Sequence, residues 1–379
     1  MHIDKRTPLS LSASLALVLT LSHTAQADNG LNAVSDMFIY NGFGTAAVAR
    51  SDTNGGEFVQ NSQNLGATEN FDWKTDSKLG LQGTFAPTTW VSGTVQGLSE
   101  ERFFNHISTQ MEWAYIKVSP LEGLSFRGGK MALPLFLVSD SRNVGYANNW
   151  VRAPDEVYGP AQFDTYQGFD VAYQHAIGKY TVTVEALAGQ MTPSNYTVYP
   201  GVVSVVQGHE LRGYNASIDF GVATLRLSRA TSAIDVLIQG ADIAKGLVYT
   251  FTSIGTTYEH SNVVGQAEFI EKRTDGSIAY SLNGWYVLGG YRLGKWLPYA
   301  IYANGERPGG ADGTVAELIR HTESIGVRLD WFKSVDFKAQ LDHVKGFGAG
   351  FGDTSPFINV QPGFNNKGNV LTLMADFVF

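Results

Sequence analysis

The chain has 379 residues, no cysteine, 42 glycines and 44% hydrophobic residues, with a formal charge of −8. Lack of cysteine excludes disulfide stapling, thiolate catalysis and cysteine-ligated zinc, and the acidic balance argues against a nucleic-acid partner. Many glycines, 17 Tyr and 22 Phe, without long apolar runs, favour an all-β chain.

Residues 1–27 read as a cleaved secretory signal peptide. Lys5 and Arg6 open it, an apolar core LSLSASLALVLTL follows from Leu9 to Leu21, and Ala25-Gln26-Ala27 supplies a small-x-small cleavage pattern. Cleavage would remove two basic residues and Asp4, leaving a net charge of −9 on residues 28–379. Past this leader no apolar run reaches the ~20 residues that a membrane helix needs. A secreted β protein and a membrane β-barrel both remain, because a barrel alternates lipid-facing and lumen-facing residues.

Alternation recurs along the chain. In 78–85, Leu79, Leu81 and Phe85 oppose Lys78, Gln82 and Thr84. In 180–188, Tyr180, Val182, Val184, Ala186 and Ala188 oppose Thr181, Thr183 and Glu185. In 323–332, Ile325, Val327, Leu329 and Trp331 oppose Ser324, Arg328 and Asp330, and in 335–343 Phe337, Ala339 and Leu341 oppose Lys338, Gln340 and Asp342. Charges centred on a strand face suit a watery lumen better than a sandwich core. Seven short links alternate with longer ones near 51–70, 98–107, 134–162, 190–207, 233–244, 306–320 and 346–366 and a shorter one at Arg273–Ser277. The count predicts sixteen strands with short turns at one end. Phe85, Trp90, Tyr180, Phe220, Trp296, Tyr299, Trp331 and Phe332 gather at the short links, as an interfacial aromatic girdle would.

The last stretch, 369–379, NVLTLMADFVF, sets Leu371, Leu373, Ala375, Phe377 and Phe379 against Thr372 and Asp376. It looks like the insertion signal of bacterial outer-membrane proteins, with Phe377 and Phe379 as the assembly signal read by the barrel-assembly machinery.

With IYNGFGTAAVA (39–49), MEWAYIKV (111–118), LSFRGGKMALP (124–134), GVRLDWFKSVDFKAQLDHV (326–344) and the terminal strand in view, the chain resembles the Gram-negative porins, nearest to the branch that includes the phosphate-selective type. The resemblance spans 35–379. It implies an all-β, transmembrane antiparallel barrel of about sixteen strands in the outer membrane, surrounded by lipid, with no cofactor. It also implies a homotrimer whose third outer loop folds into the lumen, here 134–162. That loop carries Asp140, Arg142, Arg152, Asp155 and Glu156, with Tyr146, Trp150 and Tyr158 as anchors. Its charges either tune a pore or only pin the loop. On the preceding strand Arg127 points inward, while Lys130 has the opposite parity unless Gly128-Gly129 forms a bulge; both are constriction candidates.

Lumen-wall candidates are Lys78, Asp170, Glu185, Arg226, Glu268, Arg328, Asp330, Lys338 and Asp342, with Asp376 beside them. Both signs nearly balance, and no arginine ladder dominates, which departs from a dedicated phosphate pore. The expectation is passive diffusion of small hydrophilic solutes and ions, with a mild cation preference. The alternatives are a non-conducting barrel acting in adhesion or structure, and an outer-membrane enzyme. His106, His175, His209, His260, His321 and His343 fall in no serine-hydrolase signature, so no catalytic role is expected. GGYRLGK (289–295) ends in Trp296 where a phosphate loop needs Ser or Thr. Asp312 and Asp353, each beside glycine, read as solvated loop tips rather than a calcium or other metal site.

Overall fold

A computed structural model describes residues 37–60, 63, 65–102, 106–161, 163–199, 202–275, 281–307, 318–347 and 356–379. The leader 1–27 and Asp312 and Asp353 lie outside these residues. Sixteen wall strands follow one another in chain order. They are β1 (Phe38–Ser51), β2 (Lys78–Phe85), β3 (Val91–Glu101), β4 (Ile107–Leu121), β5 (Leu124–Ala132) and β6 (Thr165–Ile177). Next come β7 (Tyr180–Tyr199), β8 (Val202–Asp219), β9 (Ala223–Ile238), β10 (Ala241–His260) and β11 (Val263–Thr274). The last are β12 (Leu282–Tyr291), β13 (Trp296–Arg307), β14 (Leu318–Phe332), β15 (Val335–Phe347) and β16 (Lys367–Val378).

Each strand pairs antiparallel with its sequence neighbours, and β16 pairs with β1 to close the barrel. Closure satisfies the backbone of the first and last strands and leaves no sheet edge open. The expected alternation is the wall's two faces. On β16, Leu371 is 46% exposed while Thr372 is fully buried. The same holds for Phe337 against Lys338 and for Ile325 against Arg328. At the seam the rings of Phe377 and Phe379, stacked 6.2 Å apart, lie over Gly44 and Gly42 of β1.

The seven short links fall at one barrel end, as expected. Two of the expected long links do not exist as loops. The 190–207 and 233–244 stretches continue the ladders of β7–β10, leaving only 200–201 and Gln239-Gly240 between strands. The cause is composition: 202–206 and 234–238 are rich in β-branched residues, which fit a pleated sheet. Gln239 and Gly240, with φ of 52° and 79°, make the left-handed two-residue turn whose twist suits a hairpin. Tyr299 also departs from the expected girdle. It is 5% exposed, points inward, and donates to Gln340 Oε1 at 2.8 Å.

The two strands approach most closely where Gly168 on β6 pairs with Gly189 on β7. A Cβ on Gly168 would stand 2.1 Å from Ala188 O, and one on Gly189 2.2 Å from Gln167 O. Only glycine permits this backbone approach. Stretches 52–60 and 356–366 meet through a small antiparallel ribbon, Glu57–Phe58 with Phe357–Ile358, packed on Ala49, Val344 and Val370.

Candidate functional site

The segment between β5 and β6, residues 133–164, carries the candidate site. Its start is dictated by Pro134, which cannot donate to a ladder; the last ladder bond is Leu133 N to Asp164 O, 2.8 Å. The apolar run 133–137 then packs on inward-facing side chains of β9–β13. Phe136 meets Phe251 edge-on at 5.2 Å and Tyr158 at 4.6 Å. Trp150 meets Tyr286 edge-on at 5.6 Å. These rings join Ile234, Ile270, Leu288 and Ile301 in one buried apolar cluster.

Charged wall residues satisfy the segment's polar groups. Glu268 accepts from Leu137 N at 2.8 Å and from the Tyr158 hydroxyl at 2.7 Å. Burial and the Glu268 charge push the Tyr158 hydroxyl pKa well above its ordinary value, so it remains a donor. Arg226 donates to Pro134 O at 3.3 Å. At the tip, a turn of 3₁₀ helix (Gly145–Ala147) offers its carbonyls to two cations. Lys338 reaches Gly145 O at 2.7 Å; Arg328 reaches Tyr146 O at 2.9 Å and Asn148 O at 2.8 Å. Arg328 also pairs with Asp330 at 2.7 Å and Asp336 at 3.1 Å, and Lys338 with Asp376 at 2.7 Å. The Tyr146 hydroxyl donates to Lys333 O at 2.7 Å. Lys333 lies in the short β14–β15 turn, so the segment starts at the long-link end and touches the opposite end of the barrel.

On its return Arg152 ties three parts of the chain together. It pairs with Asp76 of the β1–β2 link at 2.6 Å and with Asp342 of β15 at 2.5 Å, and stands over the Phe58 ring at 4.8 Å. Burial works against its charge, but the two carboxylates more than offset this and hold its pKa above the ordinary arginine range. A short helix α1, Asp155–Tyr158, follows. Asp155 and Glu156 both pair with Arg320, at 2.6 and 3.0 Å. The helix rests on Gly284 of β12, where a Cβ would stand 2.1 Å from Glu156 O. Replacing Arg152 with methionine would strand Asp76 and Asp342 in a buried site. A destabilisation of about 3–5 kcal/mol is expected, read as a lower urea midpoint for the folded protein in micelles.

The other half of the lumen is polar and holds the second cluster. Arg127 pairs with Asp170 at 3.0 Å and Glu185 at 2.9 Å. Tyr166 donates to Asp170 at 2.6 Å, passing over the bare Gly168, and Asn215 donates to Glu185 at 2.8 Å. Lys130 joins neither cluster. The pairing runs unbroken from Arg127↔Asp170 to Lys130↔Gln167, so no bulge turns the side chain inward. Its ammonium donates to Met111 O at 2.5 Å on the outward side, which removes it from the expected constriction. Lys78 shares the inward parity, level with Thr45 and Glu100, and also stands apart.

Between the two halves lies a cleft lined by Gln96, Glu112 and Trp113 on the wall and Ser139, Asp140 and Arg142 on the segment. Arg142 pairs with Asp164 at 2.7 Å, and Asp140 is exposed. Thus Asp140 is exposed and Arg142 is held half-buried against Asp164 at the cleft, while Arg152, Asp155 and Glu156 are held in ion pairs with the wall and the β1–β2 link. Sequence reasoning missed Lys117, Glu112, Asp76 and Arg320. Lys117 faces inward beside Arg127, with which it is paired across β4 and β5. Its parity was hidden by a bulge at Glu112, where Gln96↔Trp113 is followed by Gly97↔Met111.

No family model matches the chain, and no curated protein does. Solved structures do match. OmpF of Salmonella typhi aligns with a TM-score of 0.59 at 12% identity, over 90% of this chain and 97% of that one. An anion-selective porin of Comamonas acidovorans gives 0.57 at 12%, over 90% and 99%. OmpT, an outer-membrane protein of Vibrio cholerae, gives 0.56 at 11%, over 94% and 99%. At such low identity these likenesses establish the fold: the chain is similar over nearly its whole described length to closed barrels of the porin type.

Proposed function

We propose that this chain is an outer-membrane channel for the passive diffusion of small hydrophilic solutes and ions, with no chemical step. The observation that carries the reading is the asymmetric interior. Segment 133–164 packs on an apolar cluster that runs across the inner wall from β6 to β13, while nearer the short-link end β4–β8 carry Lys117, Arg127, Glu185 and Asn215, and a cleft separates the segment from β3 and β4. A polar strip against a covered apolar one suits a water-filled path displaced to one side. On this reading 133–164 is the constriction loop, with Asp140 and Arg142 at its narrowest point. Residues 1–27 are a cleaved leader, and the β16 strand ending in Phe377 and Phe379 engages the barrel-assembly machinery. A homotrimer is part of the proposal, in keeping with the trimer form of one similar barrel.

One feature favours a second reading. The segment spans the barrel from the long-link end to Lys333 and contributes to a large apolar cluster, as a plug would. A plugged barrel would act in adhesion or structure. Planar-bilayer recording of the refolded protein in a KCl gradient decides between the two. Stable conductance steps are expected, with a reversal potential of the cation-preferring sign. Insertion without current would overturn the channel and leave the plug.

A further inference from the structure

The outward wall of β8–β9 carries a charge that the channel reading does not use. Arg212 of β8 shares its face with the exposed Tyr214, and Arg229 of β9 shares its face with Leu225 and Leu227. Both guanidiniums therefore point away from the lumen, in line with a lipid-facing apolar band. Thr231 is paired with Arg212, and Arg229 lies two residues from Thr231 on the same face. Such diagonal positions stand roughly 7–8 Å apart, a separation at which two long side chains can close on one anion. Arg229 has one hydroxyl partner, Thr252 Oγ1 at 3.1 Å. No carboxylate contacts either arginine among the described residues. Of the carboxylates on this side, the exposed Glu210 lies two residues from Arg212 on β8 and forms no ion pair with it, Glu271 is taken by Arg273 at 2.5 Å, and Asp235 by His209 at 3.2 Å.

Height matters as much as charge. Arg229 stands six residues up its strand from Ala223, and Arg212 seven residues up its strand from Asp219, the strand ends at the short β8–β9 turn. At about 3.3 Å per residue and a tilt near 40°, their Cα atoms stand roughly 15–18 Å above that turn. The side chains can reach several ångströms further, toward the upper edge of an apolar band about 25 Å tall. An unpaired arginine in that band is costly, and two on adjacent strands repel each other. The arrangement becomes favourable when an anion sits at the upper edge, between them.

On the reading that the barrel lies in an outer membrane, we infer that Arg212 and Arg229 form a binding site for the phosphate groups of a glycolipid in the leaflet at the long-link end. Tyr214, Thr231 and Thr252 supply hydroxyls around it, and Leu225 and Leu227 lie against the acyl chains below. A phosphate accepts the forked N–H groups of both guanidiniums, which neutral headgroups cannot do.

The test is native mass spectrometry of the detergent-solubilised full barrel titrated with diphosphoryl lipid A and with its phosphate-free analogue. Wild type is expected to bind the phosphorylated lipid at least tenfold more tightly than the analogue. R212Q/R229Q should lose that preference, and R212K/R229K should keep part of it. Millimolar inorganic phosphate should not displace the lipid, because it lacks the acyl chains. Equal binding of the two lipids by wild type would overturn the site, and this arm needs no variant to fold. An unchanged preference in R212Q/R229Q would also overturn it, as would displacement by inorganic phosphate alone. A change of oligomeric mass in that variant with lipid binding intact would reassign the face to contact with a second copy. Bilayer conductance of R212Q/R229Q is expected to match wild type, since neither side chain faces the lumen. Loss of current in wild type with lipid preference retained would sink the channel and leave this site standing.

Discussion

Alanine at Gly168 is expected to prevent the barrel from closing. Its Cβ would have to occupy space 2.1 Å from Ala188 O and 2.7 Å from the Gly189 Cα. Those atoms belong to the paired strand, so no rotamer change relieves the clash. Relief requires β6 and β7 to separate at this pair, which breaks ladder bonds of the closed barrel. It would also lift Tyr166 from Asp170 and so loosen the pair between Asp170 and Arg127. The folded form of such barrels migrates differently from the unfolded one on unheated gels. G168A should appear only in the unfolded position, or refold in low yield. Gly83→Ala is the matched control: it lies on the same wall, and its Cβ would meet only the Tyr40 ring at 3.9 Å. If both variants refold alike, the close approach at Gly168 does not hold the wall together.

The wall was legible in the sequence because a strand with an exposed apolar face on one side and polar groups on the other writes that difference at every second residue. Stretches 323–330 and 369–379 show it most clearly, with Val370 and Met374 as apolar inward exceptions in the second. Where a strand is irregular the pattern fails: one extra residue at Glu112 reverses the parity between Ile107–Met111 and Trp113–Lys117, and Lys117 is lost to the reading. The strand extensions in β7–β10 were missed for another reason. Pro193, Asn195, Gly208 and Gly240 punctuate these stretches as loops would, yet the β-branched residues between them keep the ladder going.

The interior was less legible than the wall. Charges at inward positions suggested water, whereas Glu268, Arg328, Lys338 and Asp342 are buried under segment 133–164 and bound to its backbone or side chains. Alternation reports which way a residue points, not what stands opposite it. A signal for the covered side did exist. Trp285-Tyr286-Val287-Leu288 and Ala300-Ile301-Tyr302-Ala303 are apolar at both parities, which a strand with a watery face does not need. Their inward members, Tyr286, Leu288, Ile301 and Ala303, belong to the cluster that the segment completes. The pinning and tuning roles open at the sequence level therefore divide along the segment, residue by residue.

That division yields opposite outcomes for two pairs of carboxylates. D140N/D164N removes two charges beside the cleft and releases Arg142 from its partner. In a narrow, weakly screened passage each lost carboxylate raises the barrier to cations and lowers it to anions. The reversal potential in a KCl gradient should move toward the anion-preferring sign, most clearly at low salt, with stability nearly unchanged. D155N/E156Q removes two charges held against Arg320 beneath the α1 helix. Its reversal potential should hold if, as proposed, solutes pass along the cleft and not along the α1 face. Its stability should fall by about 3–5 kcal/mol, since the buried guanidinium loses both carboxylates that pair with it from the helix, and the loosened helix should add noise to the open current. A shift of reversal potential in D155N/E156Q equal to that of D140N/D164N would place α1 on the solute path and move the narrowest point from the cleft to the face of β12–β14.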